Sequence, residues 1–154
     1  MIDTPQVVQT EAQPTAAIHL TIPRAEMQNV MGPAIGEITA ALAAQGVAPA
    51  GPMFAHHLKM DSQTFDFEVG FPVAAPIAAS GRVKAGELPA AKVARTVYHG
   101  GYEGLHSAWG EFDRWIAGQG LTKQPTLWES YVSGPESGPD PSAWRTELNR
   151  PLAS

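Results

Sequence analysis

The strictest alternation in the chain runs through residues 64–73. Phe65, Phe67, Val69 and Phe71 oppose Asp66, Glu68 and Gly70. Strand side chains point to opposite faces in turn, so this segment predicts a strand with one apolar face. A second alternation sets Ala16, Ile18, Leu20 and Ile22 against Ala17, His19 and Thr21. It predicts a strand within residues 6–22, or two segments bent at Pro14, with His19 exposed on the polar face. Between these strands Met27, Val30, Met31, Ile35, Ile38 and Leu42 recur every three or four positions. That stripe belongs to a helix opened by Pro23 and stopped at Gly46. Gly32 and Pro33 interrupt it early, so the first turn is expected as a separate short helix. Residues 53–59 carry His56 and His57 and read as another strand, turning at Asp61, Ser62 and Gln63 into residues 64–73.

The second half repeats this order. Residues 74–90 are an irregular connector with a short edge strand. In residues 91–98, Val93, Arg95 and Val97 alternate against Ala94, Thr96 and Tyr98. Gly100 and Gly101 then open a helix whose stripe is Tyr102, Leu105, Trp109, Phe112, Trp115 and Ile116, ended by Gly118 and Gly120. Residues 125–132 form the next strand, residues 134–141 a long polar turn, and residues 142–148 the last strand. Strand, helix, strand, strand therefore occurs twice, as pseudo-repeats near residues 6–75 and 80–152 within one domain spanning residues 1–154. The fold class is α+β. Aligning Pro52 with Pro125 places His56 opposite Glu129. A duplicated unit implies a pseudo-two-fold axis with a groove, where ligand sites are common.

Composition narrows the function. The chain has 154 residues, 44% of them hydrophobic, and a net charge of -5. It can bury a core without staples, and with no Lys/Arg cluster it lacks the footprint of a nucleic-acid binder. Without cysteine there is no disulfide and no thiolate metal site. His56 and His57 point apart on a strand and cannot readily share one metal, so no metal is expected; no cofactor is expected either. Gly100 to Gly104 lacks the lysine and spacing of a phosphate-binding loop, and no Gly-x-Ser-x-Gly motif occurs. The N-terminus is not a signal peptide, and no apolar run reaches the roughly 18 residues of a membrane helix. A cytoplasmic protein is expected. Strand signals beginning near Gln6 leave no room for a helix-turn-helix segment, which argues against direct binding to DNA.

The candidate chemistry sits at Leu127-Trp128-Glu129-Ser130-Tyr131. Leu127, Glu129 and Tyr131 share one face of the strand; Trp128 lies on the other, under the helix. An acid among aromatics on a mostly buried strand is costly without a partner. Glu129 is then either half of a structural ion pair or the polar anchor of a ligand pocket. Ionised, it attracts a cation, with aromatic faces adding cation–π attraction; with its pKa raised by burial, it serves as a general acid or base. Tyr131 donates a hydrogen bond to ligand or to Glu129, or packs in the core. Tyr98 and Tyr102 have the same two readings. Trp109, Phe65, Phe67 and Met27 either wall a cavity or fill the core.

Several stretches carry a family resemblance. They are Phe65 to Val73, Leu88-Pro89-Ala90, His99 to Leu105, Trp128-Glu129-Ser130-Tyr131, and Asp140 to Leu148. Together, and in this order, they resemble the GyrI-like small-molecule-binding domains, which are also the effector-binding halves of bacterial multidrug-responsive transcription activators. The resemblance implies two strand-helix-strand-strand units (the SHS2 repeat) in a curved antiparallel sheet with two main helices. It also implies a central aromatic pocket for hydrophobic, often cationic, ligands, with the family glutamate at Glu129 and Tyr131 beside it. The expected ligand-binding residues are Glu129, Tyr131, Trp109, Tyr98, Phe65, Phe67, His56 and Met27. Three functions stay open. One is sensing or sequestering lipophilic molecules. Another is hydrolysis of strained electrophiles such as cyclopropane-bearing toxins, with Glu129 and Tyr131 catalytic. The third is a gyrase-inhibitor-like interaction with a protein target. A homodimer is also open, since sheet edges need covering.

Overall fold

The computed structural model describes residues 2–60, 63–133 and 138–153, without the side chains of Arg24, Met27, Gln28, Lys59 and Met60. Two compact units emerge, one made of Met1–Thr10 with Ala91–Ser154 and the other of Glu11–Ala90.

In the unit of residues 11–90, the alternations become β2 (Gln13–Pro23), β3 (Phe54–Met60) and β4 (Thr64–Pro72), with β5 (Lys84–Leu88) as the edge strand. The strand order is β3-β4-β2-β5, all antiparallel. Ile18 opposes Val69 and Leu20 opposes Phe67, which builds one apolar face. The helix α1 (Met27–Ala44) packs on β2 and β4, and its Ala34, Ile38 and Leu42 are buried. Two expectations change here. The chain break in residues 6–22 falls after Gln9, and Pro14 lies inside β2. Pro33 lies inside a continuous α1, and the separate first turn is a 3-10 turn at Arg24–Glu26 instead. Pro33 supplies no N–H to the carbonyl of Asn29, but Asn29 is exposed and water can serve it. Gly46 ends the helix with φ of 68°, a left-handed conformation that glycine adopts without penalty. Asp61 and Ser62 of the expected hairpin turn lie outside the described residues.

The second unit contains β1 (Gln6–Gln9), β6 (Lys92–His99), α2 (Leu105–Gly118), β7 (Leu127–Ser133) and β8 (Arg145–Pro151), in the order β1-β6-β8-β7. Gln6–Gln9, read from sequence with the first strand, pairs with β6 instead. Ala94, Tyr98, Ala108, Phe112, Ile116, Leu148 and Leu152 form the core between α2 and the sheet. Each unit therefore carries strand, helix, strand, strand, with one extra strand on its first: β5 on β2, and β1 on β6. The fold is α+β, with antiparallel strands and two main helices. Among the described residues no helix is long and apolar enough to cross a membrane.

Gly70 is the tightest backbone approach in β4. A Cβ there would stand 2.1 Å from the Ala16 carbonyl oxygen and 2.9 Å from the Ala17 Cα, neither of which can rotate away. Gly70→Ala is expected to lose about 3 kcal/mol of unfolding free energy, at the upper end of overpacking costs. Denaturant unfolding checks this; a loss under about 0.5 kcal/mol would contradict the packing of β2 on β4.

Candidate functional site

Register decides which way Glu129 points. Glu129 opposes Leu148 on β8, and Leu148 in turn opposes Thr96 on β6. Directly opposed residues share a face, so Glu129 faces α2 together with the core. Trp128 opposes Asn149 and faces away from α2, so it does not lie under the helix as the sequence suggested. The β7–β8 register slips between Ser130 and Ser133, which makes Tyr131 and Val132 part of a bulge. A bulge re-aims side chains and leaves the ladder locally open.

The carboxylate is buried; the residue retains 8% of its surface. Each of its oxygens accepts one hydrogen bond. The indole Nε1–H of Trp109 donates to Oε2 at 2.6 Å, and the hydroxyl of Tyr131 donates to Oε1 at 2.9 Å. Burial pushes the Glu129 carboxyl above its ordinary value, while Trp109 and then Tyr131 pull it back by stabilising the charge. Burial, followed by the neighbouring Glu129 charge, raises the Tyr131 phenol well above its usual value, so it remains an O–H donor. Among the described residues Glu129 has no ion pair, so the structural ion-pair reading finds no cation.

Trp109 is itself held in place. The guanidinium carbon of Arg150 stands 5.3 Å from the centroid of its ring, within cation–π range. Arg150 also donates to both oxygens of Asp113, one turn after Trp109 on α2, and to the carbonyls of Gln124 and Thr126 ahead of β7. One buried guanidinium thus ties the helix bearing Trp109 to the approach of the strand bearing Glu129. Lys123 adds a second cation to Asp113 at 3.1 Å.

On the outer side, Tyr102 meets Tyr131 edge-on with ring centroids 5.9 Å apart, and meets Trp144 at 5.3 Å. Tyr102 is 39% exposed, so an aromatic path leads from the surface to the buried acid. Tyr102 and Arg150 are absent from the set expected from sequence. Tyr102 carried the signal of an aromatic on the helix stripe; Arg150 carried none.

The other expected residues have different surroundings. Tyr98 belongs to the core, and its hydroxyl donates to the Gly101 carbonyl at 2.9 Å. Phe65, Phe67 and His56 belong to the other unit. Phe67 is fully buried and stacks on His57 with centroids 5.3 Å apart, while Phe65 meets both rings edge-on. His56 opposes Glu68, with Nδ1 3.9 Å from its carboxylate, and burial lowers its pKa. The repeat alignment that matched His56 to Glu129 is out of register by one residue. His56 shares the face of Glu68 and His19, whereas His57 occupies the apolar face. The side chain of Met27 lies outside the described residues. Among the described residues no group of three or more metal-ligating side chains could hold an ion.

The profile of the GyrI-like small molecule binding domain matches residues 3–153. No curated protein matches the sequence. Among solved structures, the C-terminal domain of EcmrR superposes with a TM-score of 0.84 at 18% identity, covering 98% of each chain. In the EcmrR–DNA complex this chain spans 57% of the EcmrR chain. SAV2435, solved with tetraphenylphosphonium, matches with a TM-score of 0.69 at 14% identity over 99% of this chain and 95% of its own. A hydrolase from Listeria innocua matches with a TM-score of 0.64 at 14% identity over 97% and 91%. At these identities the likeness to solved structures shows the fold alone.

The raised carboxyl has a consequence for stability. As pH rises, the unfolded chain releases the Glu129 proton first, so between the ordinary and the raised pKa the folded state binds more protons and stability falls. Glu129→Gln has no such proton to lose. Its melting temperature is expected to gain on that of wild type as pH rises through this window, with the smallest difference below it. Parallel melting profiles against pH would contradict the raised carboxyl.

Proposed function

Because the chain belongs to the GyrI-like small-molecule-binding family, we propose that it binds lipophilic, aromatic and cationic molecules with Glu129 as the polar anchor, in drug or toxin sensing or sequestration. The observation that carries this reading is a buried carboxylate held by two neutral donors, with no ion pair among the described residues. An isolated charge in such a place is costly, and a cationic ligand would supply the missing counter-charge. The aromatic path of Tyr102, Tyr131 and Trp144 suits flat or multi-ring ligands. SAV2435, which shares the fold, was solved with an aromatic cation.

A second reading has its own support. A carboxyl raised by burial and bonded to a tyrosine hydroxyl is equipped to place or activate water against a strained electrophile, with Glu129 and Tyr131 in the catalytic roles. A relative of the same fold is described as a hydrolase. Turnover of a cyclopropane-bearing electrophile separates this reading from binding alone.

Tetraphenylphosphonium tests the first reading. At a hundredfold excess over its dissociation constant, a ligand that binds only the folded state adds about 2.7 kcal/mol of stability. Wild type is expected to show the corresponding rise in melting temperature near neutral pH, and Glu129→Gln, with its fold intact, to lose most of it. Equal stabilisation of both proteins would remove Glu129 from the binding site.

A further inference from the structure

The two donors on Glu129 are chemically unequal. Trp109 Nε1–H can only donate, whereas the Tyr131 hydroxyl can donate or accept. When Glu129 takes up a proton, the carbonyl oxygen remains the better acceptor, and the indole, 2.6 Å from Oε2, favours that oxygen as the carbonyl. The proton therefore goes to Oε1. The group hydrogen-bonded to Oε1 among the described residues is the Tyr131 hydroxyl, 2.9 Å away. That hydroxyl must then accept, and its own hydrogen turns away from Glu129. A phenolic O–H lies in the plane of its ring, so the change is a half-turn about the C–O bond.

We infer that Glu129 and Tyr131 form a two-state reader. With Glu129 ionised it takes aromatic cations; with Glu129 neutral, the released Tyr131 O–H takes neutral aromatic ligands that carry a strong hydrogen-bond acceptor, such as a phosphoryl or carbonyl oxygen. This rests on the proposed ligand site and adds a second ligand class to it. Tyr131 is partly exposed as a residue and sits in the β7 bulge, outside the regular ladder, with its ring edge-on to the exposed Tyr102; an acceptor would reach its hydroxyl from the Tyr102 side. Trp109, fixed by Arg150, is the residue that makes the reversal one-directional.

Among the described residues, the charged and titratable groups around the pair are these. On β7 itself the partner is Tyr131. From the turn before α2 Tyr102 faces Tyr131. Behind Trp109 stand Arg150 of β8 and Lys123, both paired with Asp113 of α2. His106 is exposed on α2, one turn before Trp109. Leu148, opposite Glu129, is apolar.

Two probes of similar shape decide the matter: tetraphenylphosphonium, a cation without a hydrogen-bonding group, and triphenylphosphine oxide, a neutral acceptor. Their affinities for the full chain are measured by calorimetry from about pH 4 to 8, across the range a raised carboxyl reaches. As pH falls, the phosphonium is expected to weaken and the phosphine oxide to tighten, by about tenfold for the gain of one hydrogen bond. In Tyr131→Phe the phosphine oxide is expected to lose that gain. The opposite slopes in wild type decide the question even if the variant does not fold. A phosphine oxide affinity that stays flat or falls with the phosphonium overturns the two-state reader and leaves the cation site standing. Failure of both probes to bind at any pH overturns the proposed function, and the reader with it.

Discussion

Everything at the site turns on one unfavourable burial. A carboxylate withdrawn from water costs several kcal/mol unless its neighbours restore what hydration supplied. Around Glu129 they restore part of it. Hydrogen bonds from neutral groups to a charged acceptor contribute about 1.5–3 kcal/mol each, and two are present. The outcome is a group whose pKa stays raised despite two stabilising donors. A proton removes that residual imbalance, and under the proposed function a cationic ligand would remove it as well.

The arrangement depends on rigidity behind the donors. A short indole–carboxylate bond needs the ring held in one orientation, and Arg150 is placed to do this from β8. Its guanidinium lies over the Trp109 ring, grips Asp113 one turn along α2, and bonds the carbonyls that lead into β7. Asp113 balances the charge of Arg150, so the cation that orients Trp109 is committed elsewhere and makes no ion pair with Glu129. Tyr131, by contrast, sits in a bulge and meets the exposed ring of Tyr102. One donor is braced by Arg150, and the other sits in the bulge against an exposed ring.

Much of the fold was legible in the sequence. Period-two runs such as Phe65 to Phe71, and the three-four spacing of Trp109, Phe112 and Ile116, follow from backbone geometry that every strand and helix shares. The family resemblance singled out Glu129 and Tyr131, and the structure joins the two by a hydrogen bond. Other features escaped because they depend on which elements meet. Gln6–Gln9 read correctly as extended, yet nothing local says that its partner is β6. Pro33 looked like a helix break, but the tertiary packing of α1 outweighs the loss of one hydrogen bond. The repeat alignment set His56 against Glu129, and a one-residue error in register exchanges the two faces of a strand. Tyr98 and Tyr102 could not be told apart by spacing; only the structure shows that Tyr98 bonds Gly101 within the core while Tyr102 meets Tyr131 edge-on. Arg150 lay beyond the expected last strand, and its role appears only with its four partners, Trp109, Asp113, Gln124 and Thr126, in place.

The most direct test of this account is a carbon-detected NMR titration of the Glu129 carboxyl in wild type and in Trp109→Phe. The account predicts that Glu129 titrates above the ordinary carboxylate range in wild type. It also predicts a further rise in the variant, because burial then acts with only Tyr131 opposing it. A Glu129 that titrates at or below the ordinary range, or that is indifferent to loss of the indole donor, would show that the carboxylate is solvated rather than sequestered and would contradict the central claim.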